Sequence, residues 1–352
     1  MSNQRNILFT GATGYIGGSI LAKLLEHPKF QSFNITAIVR DAKKAEKVRG
    51  LGVKTAIGSH SDKPFVEKLA EESDIVIATA NADDPDSADA VLTGLKKRFE
   101  KTKVPGIFIH TSGTGVLADD ARGMYSTDTI YDDTNPDQIE SLPPTQIHRN
   151  VDLALLKGDS EGYVKTYIIL PSTIYGIAGH KLVKEGISNP HSIQIPDLIR
   201  AAIGRKAGGM VGEGKNIWPN VDIDEVADIY IKLFDAILEN KNPGHGREGF
   251  YFGESGEHTL YDVGKRIAEV LVAHGLAVGL EPTSFTKEDV DKYLEGSYYL
   301  GSNSRCRSNR ARALGWQPKK TTKDMLESIA AEVDAIRGNN VPVPVRGYPV
   351  KD

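Results

Sequence analysis

Cysteine is almost missing from this chain: Cys306 stands alone among 352 residues. No internal disulfide can form, and no cysteine and histidine set has the spacing of zinc ligands, so the expected compartment is the cytosol. Long apolar runs are missing as well. The longest, such as Ile75 to Ala78 and Tyr167 to Leu170, are strand-sized, well short of the ~20 residues that a membrane helix needs. Met1 to Asn6 is polar and too short for a signal peptide. Charge of one sign is not in excess either. Lys and Arg number 43 against 47 Asp and Glu, a net charge of −4, which gives no general electrostatic reason to bind nucleic acid or an anionic membrane. No internal repeat is visible.

What is present is a soluble globular composition, 39% hydrophobic and 26% charged, in a chain longer than the roughly 100–200 residues of one domain. In the first half, β-rich runs at Asn6 to Thr10, Ile35 to Val39, Lys54 to Ile57, Asp74 to Ala78, Gly106 to Thr111 and Val164 to Leu170 alternate with helical stretches. The helices are clearest at Ile16 to Glu26, Pro64 to Glu71 and Pro144 to Lys157. Strands without inside/outside alternation, joined by crossover helices, predict a doubly wound parallel α/β sheet of Rossmann type. After Gly176 the pattern turns irregular, punctuated by Pro190, Pro196, Gly208, Gly209, Gly212 and Gly214. A helix at Asp224 to Glu239 and a strand at Gly249 to Gly253 then return to the sheet, followed by a mostly helical remainder and a tail with Pro342, Pro344 and Pro349. The expected division is a dinucleotide-binding domain of residues 1–178 plus 216–255, and a smaller substrate lobe of 179–215 plus 256–352.

Between the first strand and helix lies Thr10-Gly11-Ala12-Thr13-Gly14-Tyr15-Ile16-Gly17. Gly11 permits the sharp turn, Gly14 lets backbone approach a pyrophosphate, and Gly17 lets the helix press on the strand. The diphosphate then rests on a helix N-terminus, where free N–H groups and the dipole favour an anion. The second strand ends in Val39-Arg40-Asp41, with Lys43 and Lys44 one turn on. An acid there would bind a ribose 2′-hydroxyl, whereas Arg40 with Lys44 would pair with a 2′-phosphate, so NADP(H) is favoured over NAD(H).

Together these residues resemble the extended and atypical short-chain dehydrogenase/reductase superfamily. Further matching segments are Ile109-His110-Thr111-Ser112-Gly113, Leu170-Pro171-Ser172-Thr173-Ile174-Tyr175-Gly176, Val221-Asp222-Ile223-Asp224-Glu225-Val226-Ala227 and Leu314-Gly315-Trp316-Gln317-Pro318. The resemblance implies cofactor contacts from Gly11, Thr13, Gly14, Tyr15, Ile16, Gly17, Arg40, Lys44, Thr79, Ala80, Thr111, Pro171 and Thr173, and a substrate carbonyl polarised by Ser112. It also implies a helix carrying YxxxK, and here the chain departs: the Pro144 to Lys157 stretch has neither Tyr nor that Lys. Ile147, Val151, Ala154 and Leu155 form its core stripe, which sets His148 and Asp152 one turn apart on the adjoining face. A carboxylate beside an imidazole favours the charged ring, so His148, oriented by Asp152, is the candidate proton donor, against an exposed pair that only stabilises the helix; Tyr175 is in reserve, against a packed aromatic under the second lobe.

The literal YxxxK from Tyr261 to Lys265 lies on a late helix far from the nicotinamide segment and is discounted. His60 and His110 read as hydrogen-bonded structural residues, Asp83, Asp84, Asp86 and Asp89 as a solvated loop and helix start, and Lys96, Lys97 and Arg98 as a solvated charge run; no metal site is expected. Trp218 is either a pocket wall or simple packing. The function these features point to is an NADP(H)-dependent reductase of a carbonyl, or an activated double bond, in a small organic molecule. The alternatives are a cofactor-binding sensor of the NmrA-like branch, where the catalytic Tyr is lost, and a nucleotide-sugar epimerase or dehydratase. A homodimer paired through helices beside the sheet is the expected assembly if there is one.

Overall fold

Seven short, aliphatic, β-branched segments pair in parallel, as their lack of alternation demands when both faces are to be covered. The computed structural model describes residues 4–338; the proline-rich tail and the first three residues lie outside them. The strands and helices run β1 (Arg5–Thr10), α1 (Tyr15–Leu25), β2 (Phe33–Val39), α2 (Ala42–Gly50), β3 (Lys54–Ile57), α3 (Lys63–Glu71), β4 (Ile75–Ala78), α4 (Pro85–Thr102), β5 (Gly106–Thr111), α5 (Arg149–Ser160) and β6 (Val164–Pro171). A later strand, Phe250–Gly253, adds in parallel beside β6. The spatial order β3-β2-β1-β4-β5-β6 is that of a doubly wound nucleotide-binding sheet. It reverses direction between β1 and β4, which opens a crevice at their C-terminal ends.

Both faces are packed. Ile20, Leu21 and Leu24 of α1 share one apolar cluster with Val226, Tyr230 and Leu233 of the helix Ile223–Leu238. Val66, Val91, Leu95, Val151 and Leu155 fill the other face. A third cluster, outside the sheet, joins Leu198, Ile199, Val263, Ile267, Met325 and Ile329.

Two helices escape the sequence pattern. α2, reading AKKAEKVRG, buries only Ala45 and Val48 and so shows little periodicity. Gln194–Arg205 forms a helix inside the stretch expected to be irregular, because Pro196 falls in its first turn, where no intrahelical N–H is needed. The third helix is shorter at its start than expected: it begins at Arg149, and the residues from Pro144 to His148 form a turn instead.

Candidate active site

The glycine turn has the shape its spacing predicts. Gly11 sits at φ +79°, in the left-handed region that L side chains disfavour, and the Gly14 N–H closes the turn onto the Gly11 carbonyl at 2.8 Å. A methyl at Gly17 would collide with the Gly11 carbonyl and the Thr79 hydroxyl, so this glycine is what lets α1 lie against β1 and β4. Gly14 is different. A methyl there would meet only the Gly11 oxygen, at 3.2 Å, and Gly14 is an N-cap with no side chain covering the first N–H groups of α1. Room for a methyl beside uncapped donors and a positive helix end fits a diphosphate.

The flanking residues are held by the chain itself. Asn189 N–H donates to the Thr13 carbonyl at 3.1 Å, and the Tyr15 phenol donates to the carbonyls of Gly176 and Tyr175. Tyr15 is buried, which pushes its hydroxyl well above its ordinary titration range. Its phenol is thus tied to the segment after β6, leaving backbone as its means of reaching a cofactor. Ile16 packs partly into the core, and Thr79 spends its hydroxyl on the Thr10 carbonyl at 2.8 Å, with half-buried Ala80 next in the chain.

At the end of β2, Arg40 is exposed, and the carboxylate of Asp41 caps α2 by accepting from Lys44 N–H at 2.9 Å. That backbone hydrogen bond holds the carboxyl below its ordinary value.

At the far end of the crevice the expected side chains separate. Thr111 is buried, with its hydroxyl shared between the Ala78 carbonyl at 2.9 Å and the Tyr230 phenol at 2.6 Å, so it braces the sheet. Pro171 ends β6 and pairs with Gly253, and Thr173 pairs with Asn220. Ser112 donates to Asp152 across 3.3 Å. Asp152 is fully buried and sits on α5, but it does not orient His148. His148 precedes the helix as a left-handed N-cap at φ +67°, and its ring Nδ1 and its backbone N–H both meet Asp83 Oδ1, at 2.7 Å and 3.0 Å. The two prolines before it, Pro143 and Pro144, favour a turn over an early helix start, which moves His148 off the face that the periodicity assigned to it.

Asp83 is therefore a functional candidate that sequence reasoning set aside as solvated loop. Burial opposes its ionisation, but the ring and backbone hydrogen bonds of His148 outweigh it and hold the carboxyl below its ordinary value. The neighbouring acids do behave as expected: Asp84 caps α4, and Asp86 pairs with Lys63. Among the described residues no group of three potential metal ligands occurs.

Burial pushes Asp152 up to about 6, against the pull of the His148 charge, the Ser112 hydrogen bond and Arg149. A carboxyl raised in the folded state adds stability below its unfolded value and loses it as pH rises through the folded one. Asp152→Asn, which mimics the protonated acid, should thus melt with wild type near pH 4 and above it at pH 7.5, by on the order of 2–3 kcal/mol. Thermal melts of both proteins across that range check this; a Tm difference independent of pH would contradict it.

Tyr175 is turned away. It belongs to the apolar cluster outside the sheet, and its phenol donates to the Thr321 carbonyl at 3.2 Å. Trp218 both packs and lines a recess, with Thr173, Gln194, Leu198, Asn216, His258 and Leu300 among its neighbours, while its Nε1 donates to the Ser302 carbonyl at 2.6 Å. Tyr261 and Lys265 share exposed Glu281 on the second lobe. Lys96 and Lys97 pair with Glu161 and Glu67, and Arg98 is bound to Asp74 and largely covered, which corrects the reading of a solvated run. His110 is buried with no partner for either ring nitrogen among the described residues, and burial drives it down to about 3. It is a neutral ring packed edge-on to Phe108 rather than a hydrogen-bonded one.

A second side chain missed in the sequence is Tyr299, from a one-turn helix Tyr299–Gly301. Gly113 and Gly115, just past β5, report both approaches: a methyl on Gly113 would stand 3.1 Å from His148 Nε2, and one on Gly115 would collide with the Tyr299 hydroxyl. Two glycines flanking Thr114 were the available signal.

Residues 11–130 match a family model described as NAD(P)H-binding. The chain is 29% identical over 341 residues to the oxidase ucsJ of an Acremonium species, covering 89% of this chain and 93% of that protein. It is 26% identical over 326 residues to an uncharacterized protein of Schizosaccharomyces pombe, covering 90% and 96%. Among solved structures, UDP-glucose 4-epimerase of Thermotoga maritima with UDP-glucose gives a TM-score of 0.63 at 16% identity, covering 95% of this chain and 99% of that one. dTDP-glucose 4,6-dehydratase of Bacillus anthracis in complex with NAD gives 0.62 at 15%, covering 94% and 96%. The chain therefore carries an NAD(P)-binding Rossmann domain. Its fold as a whole is that of these epimerase and dehydratase structures.

Proposed function

We propose that this chain is an NADP(H)-dependent reductase acting on the carbonyl, or an activated double bond, of a small organic molecule. The observation that carries the reading is the placement of Ser112 and the His148–Asp83 pair just past the same sheet edge as the open glycine turn. When bound, the cofactor supplies the hydride. The backbone N–H groups at the start of α1 hold the diphosphate, and Arg40 holds the adenosine end. Asp83 fixes the ring of His148, whose Nε2 faces Gly113 and Gly115 and forms the protein's proton source. The Ser112 hydroxyl, loosely held by Asp152, re-aims to polarise the carbonyl oxygen. On this reading the expected division would assign the cofactor to residues 1–178 plus 216–255 and the substrate to the lobe that begins with residues 179–215.

The second lobe supports an uncharged substrate over a nucleotide diphosphate. Arg305 and Arg307 are engaged by Glu257, and Arg205 by Asp289, so these cations are spent within the chain. The recess beside Trp218 is lined by apolar and neutral polar side chains, its His258 kept uncharged by burial, which drives it down to about 4. NADPH oxidation against a panel of aldehydes, ketones, quinones and enones tests the proposal. Turnover of at least one is expected; tight cofactor binding with no turnover would sink the reductase in favour of a cofactor sensor.

A further inference from the structure

Resting on that reading, we infer that Tyr299, delivered from the second lobe, is the group that hands the proton to the substrate, and that His148 recharges it. The geometry is that of two polar atoms facing one space. An ideal methyl on Gly115 would collide with the Tyr299 hydroxyl and stand 3.3 Å from His148 Nε2, so only a glycine leaves the gap between them open. Gly115 has no backbone reason to be glycine, since it is not among the residues at positive φ. The requirement is space beside the ring nitrogen that Asp83 does not use.

The tyrosine is also held in place. Trp218 meets its ring edge-on, with centroids 5.3 Å apart and planes at 75°. Its turn is pinned from below: Asn216 donates to the carbonyls of Leu300 and Ser302 at 2.9 Å and 2.8 Å, and Ser302 Oγ donates to the Tyr299 carbonyl at 2.7 Å. A proton donor on a rigid support costs little ordering when it acts. Burial, reinforced by the negative charge of Asp83, raises this phenol well above its ordinary range, so it stays protonated at rest and gives up its proton only as His148 replaces it in the same step.

The step balances as a reduction. The carbonyl carbon gains a hydride, with both electrons coming from NAD(P)H, and its C=O π bond opens onto oxygen. The Tyr299 O–H breaks as the product O–H forms. The Tyr299 oxygen takes the proton from His148 Nε2 as its own leaves, so no free phenolate stands beside Asp83, and solvent returns a proton to the imidazole while Asp83 holds Nδ1.

The test compares wild type, Tyr299→Phe and Gly115→Ala in the full chain, using NADPH with 4-nitrobenzaldehyde and with 9,10-phenanthrenequinone. Alongside turnover it records the imidazole ¹⁵N signals of His148, assigned by their loss in His148→Asn. For Tyr299→Phe we expect kcat to fall about 100-fold or more, in the range of a lost general acid, with KM and the NADPH Kd changed by less than about two-fold. The His148 Nε2 signal should move in both variants. Retained kcat in Tyr299→Phe beside an active wild type overturns the inference. If wild type reduces neither probe, the reductase reading fails on them, and the spectra decide Tyr299 separately: an Nε2 signal unmoved by Tyr299→Phe overturns the link, and a moved one supports it. Should Tyr299→Phe not fold, Gly115→Ala carries the same readouts.

Discussion

On the proposed function, His148→Asn is expected to lower kcat for carbonyl reduction by about 10²–10³-fold, the range of a lost proton source, and to leave NADPH affinity in place. Asparagine is the informative replacement because position 148 sits at φ +67°. Asparagine tolerates that left-handed conformation better than alanine, so the loss is chemical rather than conformational. Asp83→Asn follows it in direction with a smaller effect, roughly 10-fold. The amide oxygen still accepts from the ring and from the His148 N–H, both of which converge on Oδ1, but the charge is gone. Asp152→Asn is expected to matter less than either, because Asp152 meets Ser112 and not His148. Steady-state kcat and KM for the three variants check the order. If Asp152→Asn proved the most damaging, the pairing with Asp83 would not be the working one.

The second large effect separates two glycines that a motif treats alike. Gly14→Val should fold with a melting temperature close to wild type and bind NADPH about 100-fold more weakly. The Cβ meets only one atom beyond the adjoining residues, at 3.2 Å, and the side chain adds bulk at the N-cap of α1, beside its first N–H groups. Losing two such donors to a phosphate, at about 1.5–3 kcal/mol each, accounts for that factor or more. Gly17→Ala should do the opposite. Its methyl collides with the Gly11 carbonyl and the Thr79 hydroxyl, so stability falls first and affinity falls with it. Thermal melts without cofactor and titrations with it distinguish the two; equal destabilisation by both would mean that Gly14 serves packing rather than a ligand.

The sheet was legible because each strand is a short local run and each crossover has its own apolar stripe. The residues that miss are those fixed by distant partners. Nothing local to His148 says that Asp83, 65 positions earlier, will hold both its ring and its backbone. Helical periodicity pointed to Asp152 only while the helix was taken to begin at Pro144. Tyr175 reads as an edge residue because it follows β6, yet the second lobe closes over it, and that contact with Thr321 spans 146 positions. The role of Asp41 as a helix cap was likewise not read from the sequence. The cofactor turn, in contrast, is four consecutive residues between a strand and a helix, and its geometry follows from glycine alone.

Calorimetric titration of NADPH and NADH into wild type and Arg40→Ser tests the account most directly. One site is predicted, with NADPH bound about 10-fold or more tighter than NADH through the charge-assisted contact of Arg40 with the 2′-phosphate, and with that preference lost in Arg40→Ser. Binding of neither nucleotide, or tighter binding of NADH by wild type, would contradict it.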